Sequence, residues 1–159
     1  MRLRYTLVVS VTGLLLLLGV GVSAQTAPLA DAMERGDKLR VSALLDGEVD
    51  VNASQGDGAT ALHWAAYLND AGMTALLINA DANIAVSNNY GATPLGLAAK
   101  NGNATIIKQL IDAGADPNDA FYAVNAGETP LMLAARSGQS DAVAALLNAG
   151  ASINVQEQW

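Results

Sequence analysis

One nine-residue block occurs three times in this chain, with its small, hydroxyl and large positions in the same order. Gly58-Ala59-Thr60-Ala61-Leu62-His63-Trp64-Ala65-Ala66 returns as Gly91-Ala92-Thr93-Pro94-Leu95-Gly96-Leu97-Ala98-Ala99, and after a slightly longer interval as Gly127-Glu128-Thr129-Pro130-Leu131-Met132-Leu133-Ala134-Ala135. A second apolar block keeps step with the first: Leu77-Ile78, Leu110-Ile111 and Leu146-Leu147 stand at one constant distance after Thr60, Thr93 and Thr129. A period of about 33 residues is too short for a unit to bury a core alone. The chain is therefore constrained to stack like units on one another, each covering its neighbour.

Inside a unit the residues spell two helices. Thr93 or Thr129 offers an N-cap hydroxyl, and the proline after it sits at the first helical position, where a missing N–H costs nothing. Paired alanines such as Ala98-Ala99 let a neighbouring helix approach, and Gly102 or Gly138 ends the helix in a left-handed conformation. Ile106, Ile107, Leu110 and Ile111 give the second helix its apolar spacing, with Gly114 or Gly150 closing it. Two positions depart from glycine in the second unit. Asn69 is a mild substitute, and Asp81 a more strained one. One period earlier lies a degraded copy in which Pro28-Leu29 opens a helix, Gly36 ends it, and Leu44-Leu45 leads to Asp50-Val51-Asn52. It has Glu48 at the closing glycine and no Gly-x-Thr entry. Its Asp31, Glu34, Arg35, Asp37 and Lys38 suit a first unit that turns one face to water.

The Gly-x-Thr-Pro-Leu entry, His63 after Leu62, the double alanine, the leucine pair and Gly114-Ala115-Asp116-Pro117-Asn118 together resemble the ankyrin repeat, over essentially all of residues 26–159. The resemblance implies an all-α solenoid of about four stacked helix-turn-helix units, with projecting hairpin loops and a concave face. The units fall at about 25–54, 55–87, 88–123 and 124–156, with the start of another at 157–159. It also implies a partner protein touching the hairpin tips and the exposed side of the first helix. Asp57 and Tyr90 immediately precede entry glycines, and Trp159 would precede the next, so the three sit near successive tips. Tyr67, Lys100 and Arg136 lie four residues after His63, Gly96 and Met132, on the far part of the first helix. Trp64, Leu97 and Leu133 share one helical position and either form an apolar platform for the partner or pack inside the stack. Three extra residues between Asn118 and Gly127 put Phe121 and Tyr122 in an enlarged hairpin, where they either fold back or meet the partner. By the same resemblance His63 is structural, bonding backbone and stiffening adjacent hairpins.

Ahead of the repeats, Arg2 and Arg4 precede an uncharged stretch from Leu7 to Val22, followed by small residues at Val22-Ser23-Ala24. This is the layout of a secretory signal peptide over residues 1–24. The stretch is shorter than the ~20 residues that span a bilayer. It is either cleaved after Ala24 or kept as an anchor, and in both cases the remainder is exported, to a bacterial periplasm or along a secretory route. Beyond it six basic residues face fifteen acidic ones, a formal charge of −9. Such a surface repels nucleic acid and anionic membranes. The chain has no cysteine, which excludes disulfides and thiolate chemistry, and its single histidine leaves a serine triad without a second base. Asp50, Asp57 and Asp116 read as turn residues rather than catalytic carboxylates, and the calcium-loop ligand series is incomplete. The expectation is a monomeric binding protein with no catalytic residue, metal or cofactor. Because the next entry glycine would fall at position 160, and Val143, Leu146 and Leu147 lack a polar cap after them, the alternative is the N-terminal repeat arm of a longer protein.

Overall fold

Proline at the first helical position, or a hydroxyl, carboxylate or amide side chain just before the first turn, sets where most of the helices begin. The computed structural model describes residues 26–119 and 127–154, which hold eight helices. They are α1 (Pro28–Glu34), α2 (Lys38–Leu45), α3 (Ala61–Tyr67), α4 (Ala71–Asn79), α5 (Pro94–Asn101), α6 (Ala104–Asp112), α7 (Pro130–Ser137) and α8 (Ser140–Asn148). Pro28, Pro94 and Pro130 each open one, and Thr93 and Thr129 accept from the backbone N–H three residues on. Asp37, Asp70 and Asn103 cap α2, α4 and α6 in the same way.

The two non-glycine helix ends adopt the strained backbone their positions demand. Asn69 has φ 64° and Asp81 φ 60°, matching Gly102 at 70° and Gly150 at 89° in later units. The first copy closes differently. No positive φ occurs at Glu48; the amides of Asp46 and Gly47 turn back to Ser42 and Leu44 instead. Asp81→Gly is expected to stabilise the fold by about 0.5–1 kcal/mol, relief of a left-handed aspartate outweighing the added freedom of glycine when unfolded. Asn69→Gly should gain nothing, because the Asn69 side-chain oxygen accepts from Asn103 at 2.6 Å and that bond would be lost. Urea midpoints of the two variants test the contrast.

The first helices stack in series, α1 on α3, α3 on α5 and α5 on α7, through the buried alanines Ala65, Ala66, Ala98, Ala99 and Ala134. The second helices are more splayed: α4 meets α6 less closely than α3 meets α5, and α2 scarcely touches α4. Close approach on one layer and splay on the other curve the stack toward the first helices, making theirs the concave side. Between the layers lies the core, with Leu62, Leu77, Leu95, Ile106, Ile107, Leu110 and Leu146 fully buried. Leu146, expected on an unshielded end, belongs to this core; its neighbour Leu147 is exposed.

Asparagines couple the loops that follow the second helices. Asn52 accepts from the Asn83 amide at 2.6 Å and donates to the Asp81 carbonyl at 3.3 Å. Asn118 repeats this one pair later, accepting from Ser152 at 2.7 Å and donating to Gly150 at 3.5 Å. The equivalent residue between them is Ala85, which has no side-chain amide to bridge with. Ala85→Asn, reaching the Asp116 amide and the Gly114 carbonyl, is expected to stabilise by about 1 kcal/mol, read as a rise of a few degrees in Tm. The charges of α1 and α2 are less peripheral than the sequence implies. Lys38 pairs with Asp70, the α4 cap, at 2.5 Å, and its hydrogen bond holds that carboxyl below the ordinary carboxylate range.

Candidate protein-binding face

The period places equivalent residues of α1, α3, α5 and α7 side by side on the concave layer. One row runs Asp31, Trp64, Leu97, Leu133, and the next runs Glu34, Tyr67, Lys100, Arg136. Helical spacing of three residues puts both rows on the same side of each helix. In the first row Asp31, Trp64 and Leu97 are half-buried, whereas Leu133 is only 6% exposed and offers little to a partner. The apolar stripe is thus half-buried, packed against the core at Trp64 and Leu97, and fully core at its end. The second row is exposed throughout, Tyr67 at 55%.

Trp64 is held in one orientation. Its ring meets Tyr67 edge-on, with centroids 5.7 Å apart at 86°, and its indole N–H donates to Gln55 Oε1 at 2.7 Å. The Gln55 amide nitrogen in turn donates to Asp31 Oδ1 and Glu34 Oε2, both at 2.8 Å. Sequence reasoning missed Gln55, and took Asp31 and Glu34 for solvent-facing charges of a terminal unit. Those two acids stand one period before Trp64 and Tyr67, a register already visible in the chain. The hairpin position of Gln55, by contrast, carries no signal in the sequence. At the other end Arg136 pairs with Glu128, and Lys100 has no ion-pair partner among the described residues.

The hairpin tips behind the face are built by short polar side chains. Asp57 accepts from the Ala59 amide at 2.9 Å, and Asn88 from the amides of Tyr90 and Ala92 at 3.0 and 2.9 Å. Adjacent tips touch: Asn89 N–H donates to the Asp57 carbonyl at 2.8 Å. Gly58, at φ 82°, lies under that contact, and a Cβ there would come within 3.2 Å of the Asn88 and Asn89 backbone. Tyr90 projects from its tip, 61% exposed, while Asp57 is half-buried by its turn role. Phe121, Tyr122 and Trp159 lie outside the described residues.

His63 ties α3 to the next hairpin. Its Nδ1 accepts from the Thr60 N–H at 3.1 Å, with the Thr60 hydroxyl 2.9 Å away, and its Nε2–H donates to the Ala92 carbonyl at 2.9 Å. These partners need the neutral ring protonated on Nε2. Burial lowers its pKa from the ordinary histidine value, against smaller upward effects of the Ala92 bond and the Asp57 charge. The expected turn roles of Asp50 and Asp116 also hold, each accepting from the amide two residues on, at 2.9 and 2.8 Å. Burial first, and Asp116 second, raise the carboxyl pKa of Asp119 nearby. Among the described residues no three His, Cys, Asp or Glu side chains gather as metal ligands, and no helix is long and apolar enough to cross a membrane.

At the far end of the stack an apolar groove of about 340 Å³ opens between α7 and α8, lined by Leu131, Met132, Val143, Leu147 and Ile153 among others. Comparison with curated proteins gives no match. A family model described as ankyrin repeats (3 copies) matches residues 11–121 and 73–157. With most of the chain inside those matches, and with paired helices, left-handed helix ends and stacked hairpins recurring at the period of the sequence, the chain belongs to the ankyrin-repeat family.

Proposed function

We propose that this chain binds another exported protein through its concave first-helix face and hairpin tips, and performs no catalysis. Ankyrin repeats are generally protein–protein interaction modules. The observation that carries the reading here is the Trp64–Tyr67 pair, two large rings on the concave layer with the indole already oriented by Gln55. Pre-oriented aromatics are the side chains that anchor protein interfaces, because they contribute area without losing much rotamer freedom. Tyr90 extends the surface to a tip, and Asp57, Leu97, Lys100 and Arg136 complete the contact set, together with Phe121, Tyr122 and Trp159. Affinity capture from the exported fraction of the producing cell tests it, with wild type beside Trp64→Ala and Tyr90→Ala. Loss of a specific protein with Trp64→Ala is the expected result; recovery of the same proteins in equal yield with both variants defeats the reading.

Export rests on Arg2, Arg4, the apolar stretch and Val22-Ser23-Ala24. Mass spectrometry of the protein from its producing cell should find a mature chain starting at Gln25. A start at Met1 in the cytoplasmic fraction contradicts both cleavage and export. The apolar groove at α7 and α8 favours a second reading, in which further repeats stack there and the chain is the N-terminal arm of a longer protein.

A further inference from the structure

The concave face is ordered by charge. Its two rows begin with carboxylates on α1, pass through Trp64 and Tyr67 on α3, and reach Lys100 on α5. We propose that the partner presents an extended basic-to-acidic segment across these helices, with a guanidinium or ammonium group over Asp31 and Glu34, an apolar side chain over Trp64 and Leu97, and a carboxylate at Lys100. The inference rests on the binding reading above and specifies what that face selects.

The acidic end is left with capacity for a cation. Asp31 and Glu34 stand one helical turn apart and share a single neutral donor, the Gln55 amide, 2.8 Å from each. Neither carboxylate meets a lysine or arginine within ion-pair distance among the described residues. A cationic donor forms shorter and stronger bonds to carboxylates than a neutral amide does. A planar guanidinium can also lie against the neighbouring aromatic rings. Gln55 keeps the two oxygens converged on one point before any partner arrives, so little reorganisation is needed.

Among the described residues of the two rows, the opposite end has one cation without an ion-pair partner. Arg136 is engaged by Glu128, which leaves Lys100, on a chain whose formal net charge is −7. That excess of negative charge draws basic segments toward the molecule, while an isolated lysine within it fixes which end of the segment lies where. First helices packed about 8–10 Å apart put α1 and α5 roughly 16–20 Å apart, a distance spanned by about six extended residues.

The probe is the peptide acetyl-Arg-Gly-Gly-Leu-Gly-Gly-Glu-amide, titrated by calorimetry into the full chain, beside the same peptide with citrulline for arginine. Saturable binding is expected, about tenfold weaker with citrulline, and the difference should vanish in the double variant Asp31→Asn, Glu34→Gln. Replacing the peptide's glutamate by glutamine should weaken binding to wild type but not to Lys100→Gln. The proposal is overturned by equal affinity for the arginine and citrulline peptides, by a preference that survives in the double variant, or by no saturable binding. Far-UV circular dichroism confirms that these surface variants stay folded. If the double variant still captures the proteins that Trp64→Ala loses, the charge order is wrong and the binding reading stands.

Discussion

Replacing His63 with alanine is expected to lower the free energy of unfolding by about 2–4 kcal/mol, because a buried ring and the hydrogen bonds it makes at both nitrogens are lost together. The Thr60 N–H is left without its acceptor, and the Ala92 carbonyl keeps only the Asn88 amide. The ring also makes stability depend on pH. Its pKa is lowered on folding, chiefly by burial, so above pH 6.5 it is neutral in both states and the full stability is present. As pH falls below 6.5 the unfolded chain takes up a proton that the folded chain refuses, and stability drops until the folded pKa is reached. The slope is at most about 1.4 kcal/mol per pH unit for one group. Because His63 is the only histidine, urea midpoints at pH 7.5 and 5.5 isolate it. The wild type should be less stable at the lower pH, and His63→Ala should be weaker at both with little difference between them. A wild-type midpoint that does not fall between those pH values contradicts a neutral, desolvated ring.

Leu110→Ala is expected to cost about 2–5 kcal/mol, the range for emptying a buried leucine site whose surroundings only partly collapse. Leu77, Leu110 and Leu146 are equivalent in the period and all fully buried, whereas the equivalent residue of the first copy, Leu44, is half-buried. Alanine substitution along this series should therefore give a large loss at the three later positions and a smaller one at Leu44. Against a total stability of about 5–15 kcal/mol for a domain, the central substitution removes a large share. Chemical denaturation of the four variants checks the order. An equal loss at Leu44 would mean that the first unit is packed as tightly as the others, contrary to its burial.

Much of the architecture is legible in the residues because each rule involved is local. Pro94 and Pro130 mark helix starts since proline at that position gives up no hydrogen bond, and the left-handed ends at Asn69 and Asp81 follow from their register with glycines elsewhere. The face was legible only in part. Counting along the first helix lines up Trp64, Tyr67 and Lys100, and the fold leaves all three at least partly exposed. Yet the same count also proposed Leu133, which the fold buries, and nothing local distinguishes it from Leu97. Lys38 reads as a solvated charge of a terminal unit until α2 and α4 are placed, when it reaches Asp70.

By itself, then, the sequence determined the period, the helix pairs, the capping residues and the rows in which side chains line up, because these depend on spacing along one chain. The tertiary structure decided which members of a row are free and which are spent. It buried His63 between α3 and the next hairpin, so that the one histidine became a neutral strut. It also brought Gln55 from a loop to join Asp31, Glu34 and Trp64. The bonds from His63 to Ala92 and from Gln55 to Asp31 and Glu34 join residues 21 to 29 positions apart, and they exist only after stacking sets the distance between one unit and the next.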